Sequence, residues 1–368
     1  MTLLQTPASA ASAVSAASLT SLAPPVPEAR GPVSDAVRAR LLGAGTDRLP
    51  RPAAVARSSP YGEDLHLALH LCYELHYRGL AGVPDTLEWD ADLLRVRALL
   101  EHRFEQALRH DCRELPPVEE ALADLLVEPP DGDGVSHFLM SHGELWQLRE
   151  YAALRSVVQL READPHLWAV PRLNGRAKAG LMAVQYDEYG CGRAERMHAR
   201  LYADLMADLG LDPSYGRYVD AAGAEVLAAS NLMSFLGLHR RLRAALVGHF
   251  AVLETTSPPA AARVAAAIRR LGAGAAAERY YDEHVEADAV HEQVVRREVV
   301  GGLLDEEPGL APDIAFGIAA TRFLENRFGS RVVESWTQGG SALRTPSGGG
   351  PLLAGDTRLP RFEERSRS

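Results

Sequence analysis

The helical periodicity between about residue 60 and residue 335 constrains the fold more than any other feature of this chain. Long stretches rich in alanine, leucine, arginine and glutamate repeat their apolar residues with a period near 3.6. No convincing alternation of apolar and polar residues runs longer than four residues. Proline and glycine clusters interrupt the pattern at short intervals. Many helices with short connections predict an all-α bundle packed around one core.

The proline and glycine clusters set the limits of the predicted helices. Ser257-Pro-Pro259, for example, predicts the end of one helix and the start of another, and a bend is expected near Gly143. The predicted helices are about 61–79, 87–111, 117–126, 135–164, 173–209, 213–236, 238–255, 259–271, 274–304 and 311–334.

Both ends of the chain differ in composition from this helical region. Residues 1–58 are rich in alanine, serine and proline, which predicts a disordered leader with at most a short helix near 33–43. Residues 337–368 contain glycine-rich stretches and a charged end, which predict a flexible tail. The helical domain is therefore expected to span 59–336.

Composition excludes several classes of function. Lys and Arg number 39 against 49 Asp and Glu, and the net charge of −10 argues against a nucleic-acid partner. The three cysteines, Cys72, Cys112 and Cys191, form neither a disulfide framework nor a CxxC motif, which fits a reducing cytoplasm. No run of 18 apolar residues predicts a membrane span, so a membrane partner is not expected.

The stretch from Tyr280 to His291 carries a pattern typical of metal ligands. His284, Asp288 and His291 stand at i, i+4 and i+7, so their side chains fall on one face of a helix. Imidazole and carboxylate together suit iron, manganese or zinc, and the absence of thiolates argues against a zinc-finger site. The alternative is a solvated polar face that carries two histidines.

A metal held in a helical bundle takes ligands from several helices, so acidic residues in apolar surroundings are candidates. Glu254 ends the apolar stretch from Ala244, in which His249 is the other ionisable residue. A carboxylate in such a run is costly unless it is paired or metal-bound. Glu162 is a weaker candidate, because it lies just before Asp164-Pro165 and could be at an exposed helix end.

The predicted helix 173–209 supplies a further imidazole, His198, with two alternative carboxylates. Glu195 stands three residues before His198, which is the spacing of the Glu-x-x-His pair in di-iron bundles. Glu188 stands ten residues before it, and Gly190 and Gly192 between them could kink the helix and redirect Glu188. Helix geometry alone favours Glu195.

Taken in order, these residues resemble the haem-oxygenase-like diiron oxidases, also called iron-containing redox enzymes. The resemblance covers about residues 60–335, and the stretch Leu65–Gly79 is similar to the first helix of many members. In the family pattern, the carboxylate before the glycines is the ligand, so the resemblance favours Glu188 over Glu195. The metal ligands that the resemblance implies are Glu162, Glu188, His198, Glu254, His284, Asp288 and His291.

The resemblance also implies an activity. We expect two irons, O2 as co-substrate, and oxidation of a small organic substrate through a peroxo-diferric intermediate. Amino acids, amines and fatty acids are the substrate classes, with N-oxygenation, desaturation or C–C cleavage as outcomes. An external electron donor and a homodimer are compatible with this expectation. The alternative is a non-catalytic metal-storage or ligand-binding protein of the same fold.

Several other polar residues have simpler interpretations. The stripe of Glu63, His66, His70 and Glu74 is expected to serve helix packing and hydrogen bonding, although a haem oxygenase would need an early histidine such as His66, His70 or His76. His249 is expected in the core or beside a ligand. His166 could orient a ligand, and Cys191 is expected to be structural.

Overall fold

The computed structural model of the chain describes residues 23–44, 49–128 and 132–345, apart from the side chains of residues 288 and 289. Within these residues every regular element is helical, as the sequence predicts. The α-helices are α1 Pro32–Leu41, α2 Pro52–Arg57, α3 Glu63–Glu74, α4 Ala91–Asp111, α5 Val118–Leu125, α6 Val135–Ser141, α7 Leu145–Gln159, α8 Gly175–Glu188, α9 His198–Asp208, α10 Ala224–Leu238, α11 Arg243–Leu271, α12 Ala275–Val294, α13 Gly301–Glu306 and α14 Ala311–Thr337. A π-helical segment, Val295–Val300, joins α12 to α13.

Helices α3 and α10 form the centre of the bundle. Both are buried on all sides: α3 from Leu65 to Glu74, and α10 through nearly its whole length. A helix that is buried on all sides is stable only when other helices surround it, which explains why neither presents a face to solvent. In the described part of the chain, no helix combines the length and the apolar character needed to cross a bilayer.

The long helices α11 and α14 approach each other closely at two glycines. A Cβ on Gly317 would lie 1.9 Å from the backbone oxygen of Ala245, and a Cβ on Gly248 would lie 2.1 Å from that of Ile314. Any side chain at either position would therefore push the two backbones apart. This contact fixes the spacing between α11 and α14 beside the site described below.

The segment before residue 59 is more ordered than its composition predicts. Helix α1 buries Val33, Val37 and Leu41 against the core. The carboxylate of Asp64 on α3 accepts hydrogen bonds from the backbone nitrogens of Val33 and Ser34. These apolar residues recur at i, i+4 and i+8, a helical pattern that the surrounding prolines mask. Helix α1 corresponds to the short helix expected near 33–43, α2 is a further helix that the composition did not predict, and residues 1–22 lie outside the described residues.

The other end of the chain also continues past the predicted boundary. Helix α14 ends at Thr337, and the following residues fold back onto the bundle. The backbone nitrogen of Ala342 donates to Glu150, and that of Arg344 donates to the carbonyl of Ala221. The part of the predicted flexible tail up to residue 345 is thus packed against the core, and residues 346–368 lie outside the described residues.

The predicted break at Ser257-Pro-Pro259 is wrong, because α11 runs through it. Pro258 and Pro259 lack the N–H groups that would bond the carbonyls of Glu254 and Thr255. The helix persists because buried residues on both sides of the prolines, such as Phe250 and Val264, hold it against its neighbours. The bend predicted near Gly143 is present, as the boundary between α6 and α7.

Candidate metal centre

Five segments of the chain bring six of the seven predicted ligands to one place. Glu162 follows the end of α7, Glu188 is the last residue of α8, and His198 is the first residue of α9. Glu254 lies within α11, and α12 carries His284 and His291 on its inner face. Two groups of three residues have ligand atoms within 4.8 Å of one another: Glu162, His198 and His284 form the first group, and Glu188, Glu254 and His291 form the second.

A sharp turn between α8 and α9 makes the Glu188–His198 pairing possible. The predicted helix 173–209 is not continuous, because Gly190, Cys191 and Gly192 all adopt left-handed backbone conformations. A Cβ on Gly190 would lie 2.7 Å from the backbone nitrogen of Met197, so glycine is required there. The turn brings the His198 Nδ1 atom to 3.0 Å from the Glu188 Oε2 atom.

In the first group, the Oε1 atom of Glu162 is 4.0 Å from His198 Nδ1 and 3.9 Å from His284 Nε2. Metal–ligand bonds of about 2.1 Å place ligand atoms roughly 3–4 Å apart, depending on the angle at the metal. The Glu162 oxygen therefore lies at a distance from each histidine nitrogen that a shared metal ion allows. His198 and His284 are buried, and their ring centroids lie 4.4 Å apart.

Neighbouring side chains orient the first group. Gln159 Nε2 donates to Glu162 Oε2 at 2.7 Å, and the Tyr280 hydroxyl donates to the same oxygen at 3.3 Å. This leaves Oε1 directed at the two histidines. His284 Nδ1 lies 2.8 Å from the carbonyl of Tyr280, so this nitrogen carries the proton and Nε2 presents its lone pair to the group.

In the second group, His291 Nδ1 is 3.1 Å from Glu254 Oε2 and 3.8 Å from Glu188 Oε1. Glu188 thus directs one oxygen at each group, which is the position of a bridging carboxylate. Burial alone would raise the pKa of Glu188, but the adjacent imidazoles of His198, His284 and His291 hold that pKa below its ordinary value. The ionised form of Glu188 is therefore favoured even though it is buried.

Asp187 is a residue that the sequence analysis missed. Its Oδ2 atom lies 3.2 Å from His291 Nε2, while its Oδ1 atom accepts from the Cys191 thiol at 3.1 Å. A carboxylate on one ring nitrogen fixes the proton there and leaves the other nitrogen, here Nδ1, as the ligand atom. The sequence does contain a sign of this role, the adjacent acidic pair Asp187-Glu188. Consecutive carboxylates at a helix end can contact the two different ring nitrogens of one histidine.

The two carboxylates that the sequence offers as partners of His198 differ clearly in position. Glu195 is exposed in the turn Ala194–Arg196, whereas Glu188 is buried between the two groups. Glu254 is buried within α11. Asp288 lies on α12 between His284 and His291, and its side chain lies outside the described residues.

The other polar residues for which a structural role was expected lie outside the two candidate metal groups. On α3, His66 and His70 are buried but do not belong to either candidate metal group. Glu74 pairs with Arg161 at 3.5 Å and accepts from the Tyr215 hydroxyl at 2.9 Å. None of these residues belongs to a candidate metal group within the described chain. Cys191 is exposed, and its positive φ belongs to the turn.

A cavity of about 70 Å³ adjoins the two groups. Its wall contains Glu162, Glu188, Glu254 and His284, together with the buried side chains of His166, Gln185 and His249. Burial lowers the pKa of His166 to about 4 and holds that of His249 well below its ordinary value, so both rings are neutral at pH 7. A cavity of this size has room for on the order of five water molecules or a small ligand group.

The chemistry of the donor set fits iron. Imidazole and carboxylate ligands without thiolates suit iron or manganese, and three protein ligands per group leave positions open for other molecules. Three carboxylates also neutralise most of the charge of two divalent ions. Each group is thus a reasonable site for one iron, with Glu188 between them.

The sequence comparison agrees with this donor set. Residues 149–326 match the family described as iron-containing redox enzymes, and these residues include both groups. A comparison with curated proteins found no match. The matched residues, which carry the candidate metal centre, are therefore similar to the family of iron-containing redox enzymes.

Proposed function

We propose that the protein is a non-haem diiron oxidase or oxygenase that uses O2 to oxidise a small organic substrate. The observation that carries the proposal is the pair of buried groups, Glu162/His198/His284 and Glu188/Glu254/His291, with Glu188 facing both. A single mononuclear site would leave the second group of a histidine and two carboxylates without a purpose.

When bound, two irons supply the electrons that reduce O2, and the protein's own residues prepare the site for them. Glu162 and His284 are fixed by Gln159 and Tyr280, so the first iron is met by preoriented ligand atoms. Asp187 keeps the proton of His291 on Nε2, so Nδ1 is available to the second iron. Asp288 is proposed as a further ligand on the grounds of its spacing on α12.

Apolar side chains lie beside the two groups. Val158, Ala229, Met233, Phe250 and Leu253 give the adjoining cavity an apolar wall. These side chains can contact the hydrocarbon part of a substrate. A small organic molecule in this cavity would lie beside Glu162, Glu188, Glu254 and His284, which are among the residues that would hold the irons.

Anaerobic loading with Fe(II), followed by exposure to O2, tests the proposal. We expect two irons per chain and a transient visible absorption band that decays faster in the presence of a substrate. Iron content and the band are measured on the full chain and on Glu188→Ala. Binding of one metal ion per chain, or two irons that do not react with O2, would exclude the proposed activity and favour a metal-storage protein.

A further inference from the structure

Three buried polar side chains in the cavity wall have hydrogen-bonding atoms without a partner among the described residues. These atoms are His166 Nε2, His249 Nε2 and both amide atoms of Gln185. The three side chains are 3%, 3% and 1% exposed. Buried polar atoms are normally hydrogen-bonded, and leaving one unpaired costs about 1–3 kcal/mol. Their common position in one cavity wall indicates that a ligand supplies the missing partners.

The hydrogen-bonding role of His249 Nε2 follows from its neighbours. The Thr321 hydroxyl donates its proton to the carbonyl of Gly317 at 2.7 Å. It can therefore only accept from His249 Nδ1, which lies 2.8 Å away. The neutral ring then carries its proton on Nδ1, and Nε2 presents a lone pair. His249 thus requires a hydrogen-bond donor in the cavity.

His166 and Gln185 supply two further acceptors. The backbone of Glu162 hydrogen-bonds to the His166 ring, and the ring lies stacked with that of His249, with 5.4 Å between centroids. Because Nε2 is the atom without a partner, the backbone carbonyl holds the proton on Nδ1, and Nε2 of His166 is also an acceptor. The Gln185 Oε1 atom is the third acceptor.

These side chains lie close to the predicted metal ligands along the chain. His166 is four residues after Glu162, Gln185 is three residues before Glu188, and His249 is five residues before Glu254. The acceptors and the ligands therefore share the same three structural segments. A group bound by the acceptors is held beside the metal centre at a fixed position.

The charges of the wall argue against an acidic ligand. Arg155 is the one lysine or arginine among the described residues of the wall. Its Nη1 atom already donates to both carboxylate oxygens of Glu325, at 3.1 and 3.0 Å. Away from the metal groups, a carboxylate ligand would find no unengaged cation, whereas a group with several N–H donors would find three acceptors.

We propose that His166, His249 and Gln185 bind the amino group of a small amine substrate. An ammonium group has three donors, which matches the three acceptor atoms. The apolar residues of the wall, such as Met233 and Phe250, then contact the hydrocarbon part of the substrate. That the amine is a substrate rests on the proposed function. The binding of the amine can be measured without turnover.

Isothermal titration of the full chain with n-butylamine, n-butanol and butanoate tests the proposal. The three probes share one hydrocarbon chain and differ only in the polar group. The titrations use both the metal-free protein and the protein loaded anaerobically with Fe(II), with iron content measured on each sample. In the metal-free protein we expect n-butylamine to bind and the other two probes to bind at least tenfold more weakly.

Single substitutions test whether the three proposed acceptor side chains bind the amine. His166→Phe, His249→Phe and Gln185→Met retain the approximate shape, and each should weaken n-butylamine binding by roughly 10- to 100-fold. Thr321→Val leaves His249 in place but releases its proton from Nδ1, so the preference for the amine over the alcohol should fall. His66→Leu is the control, because this histidine is also buried but lies outside the cavity wall.

Two outcomes would overturn the inference. One is equal binding of the three probes, which would mean that water alone satisfies the acceptors. The other is amine binding that all four cavity variants leave unchanged, which would place the amine on the metal or its ligands. Normal amine binding in a protein that takes up no iron would instead refute the diiron proposal and leave the amine site standing.

Discussion

The contact between Asp187 and His291 allows a quantitative test of the second metal group. Replacing Asp187 by alanine removes the carboxylate that holds the His291 proton on Nε2. The ring is then free to protonate Nδ1, the atom that faces Glu254 and Glu188. We expect Asp187→Ala to weaken iron binding at this group while the first group keeps its affinity.

The size of the effect follows from the exposure of the carboxylate. Removing a carboxylate that orients a metal-binding histidine costs about 10- to 100-fold in metal affinity, or about 1.4–2.8 kcal/mol. The Asp187 side chain is 46% exposed. Water therefore replaces part of the interaction, and the lower figure, about tenfold, is expected. Asp187→Asn keeps an acceptor oxygen and loses only the charge, so it should cost about 0.2–1 kcal/mol.

The assay is an anaerobic titration with Fe(II) against a competing chelator, which resolves the two binding steps. Asp204→Ala is the matched control, because its side chain is 41% exposed and pairs only with Arg200 among the ion pairs of the described residues. Cys191→Ala tests whether the thiol contact of Asp187 contributes. If Asp187→Ala binds its second iron with wild-type affinity, the assigned role of Asp187 is wrong.

Three further predictions concern the ligand choice, the helix packing and the pH dependence of stability. Glu188→Ala should lower the iron content measured after gel filtration, whereas Glu195→Ala should not; the reverse result would contradict the ligand choice. Gly317→Ala should lower the free energy of unfolding in urea by about 1–3 kcal/mol, because its Cβ would meet the Ala245 oxygen, whereas Ala substitution at the open Gly309 should change it little. Burial lowers the pKa of His66 from 6.5 to about 3, so the unfolded chain binds the extra proton between these values and stability falls as pH decreases. The slope of the free energy of unfolding against pH, measured on metal-free protein, should therefore fall by up to about 1.4 kcal/mol per pH unit in His66→Leu. An unchanged slope would refute the lowered pKa of His66.

Helical periodicity was enough to predict the fold class, because the pattern of buried residues dictates helix packing directly. It failed where packing outweighs local preference. Pro258 and Pro259 predict a helix end, yet the apolar residues on either side hold α11 together. The prolines near α1 predict disorder, yet Val33, Val37 and Leu41 are enough to dock it.

The candidate site was predictable in its residue types and order but not in its pairing. Ideal helix geometry favours Glu195, since it assumes that α8 continues to His198. The turn at Gly190 reverses the chain and brings Glu188 to His198 instead. Asp187 and Gln185 were not identified, because their roles depend on the relative rotation of α8, α11 and α12, which one sequence does not specify.

The close approach of α11 and α14 has a chemical consequence. Gly317 lies one helical turn before Thr321, and Gly248 directly precedes His249. The distance that these two glycines allow between the backbones is therefore the distance at which the Thr321 hydroxyl meets the imidazole. The absence of a side chain at Gly317 thus helps to keep the proton of His249 on Nδ1, although α14 carries none of the predicted metal ligands. Variation at position 317 would change which molecules the cavity accepts while leaving every predicted metal ligand intact.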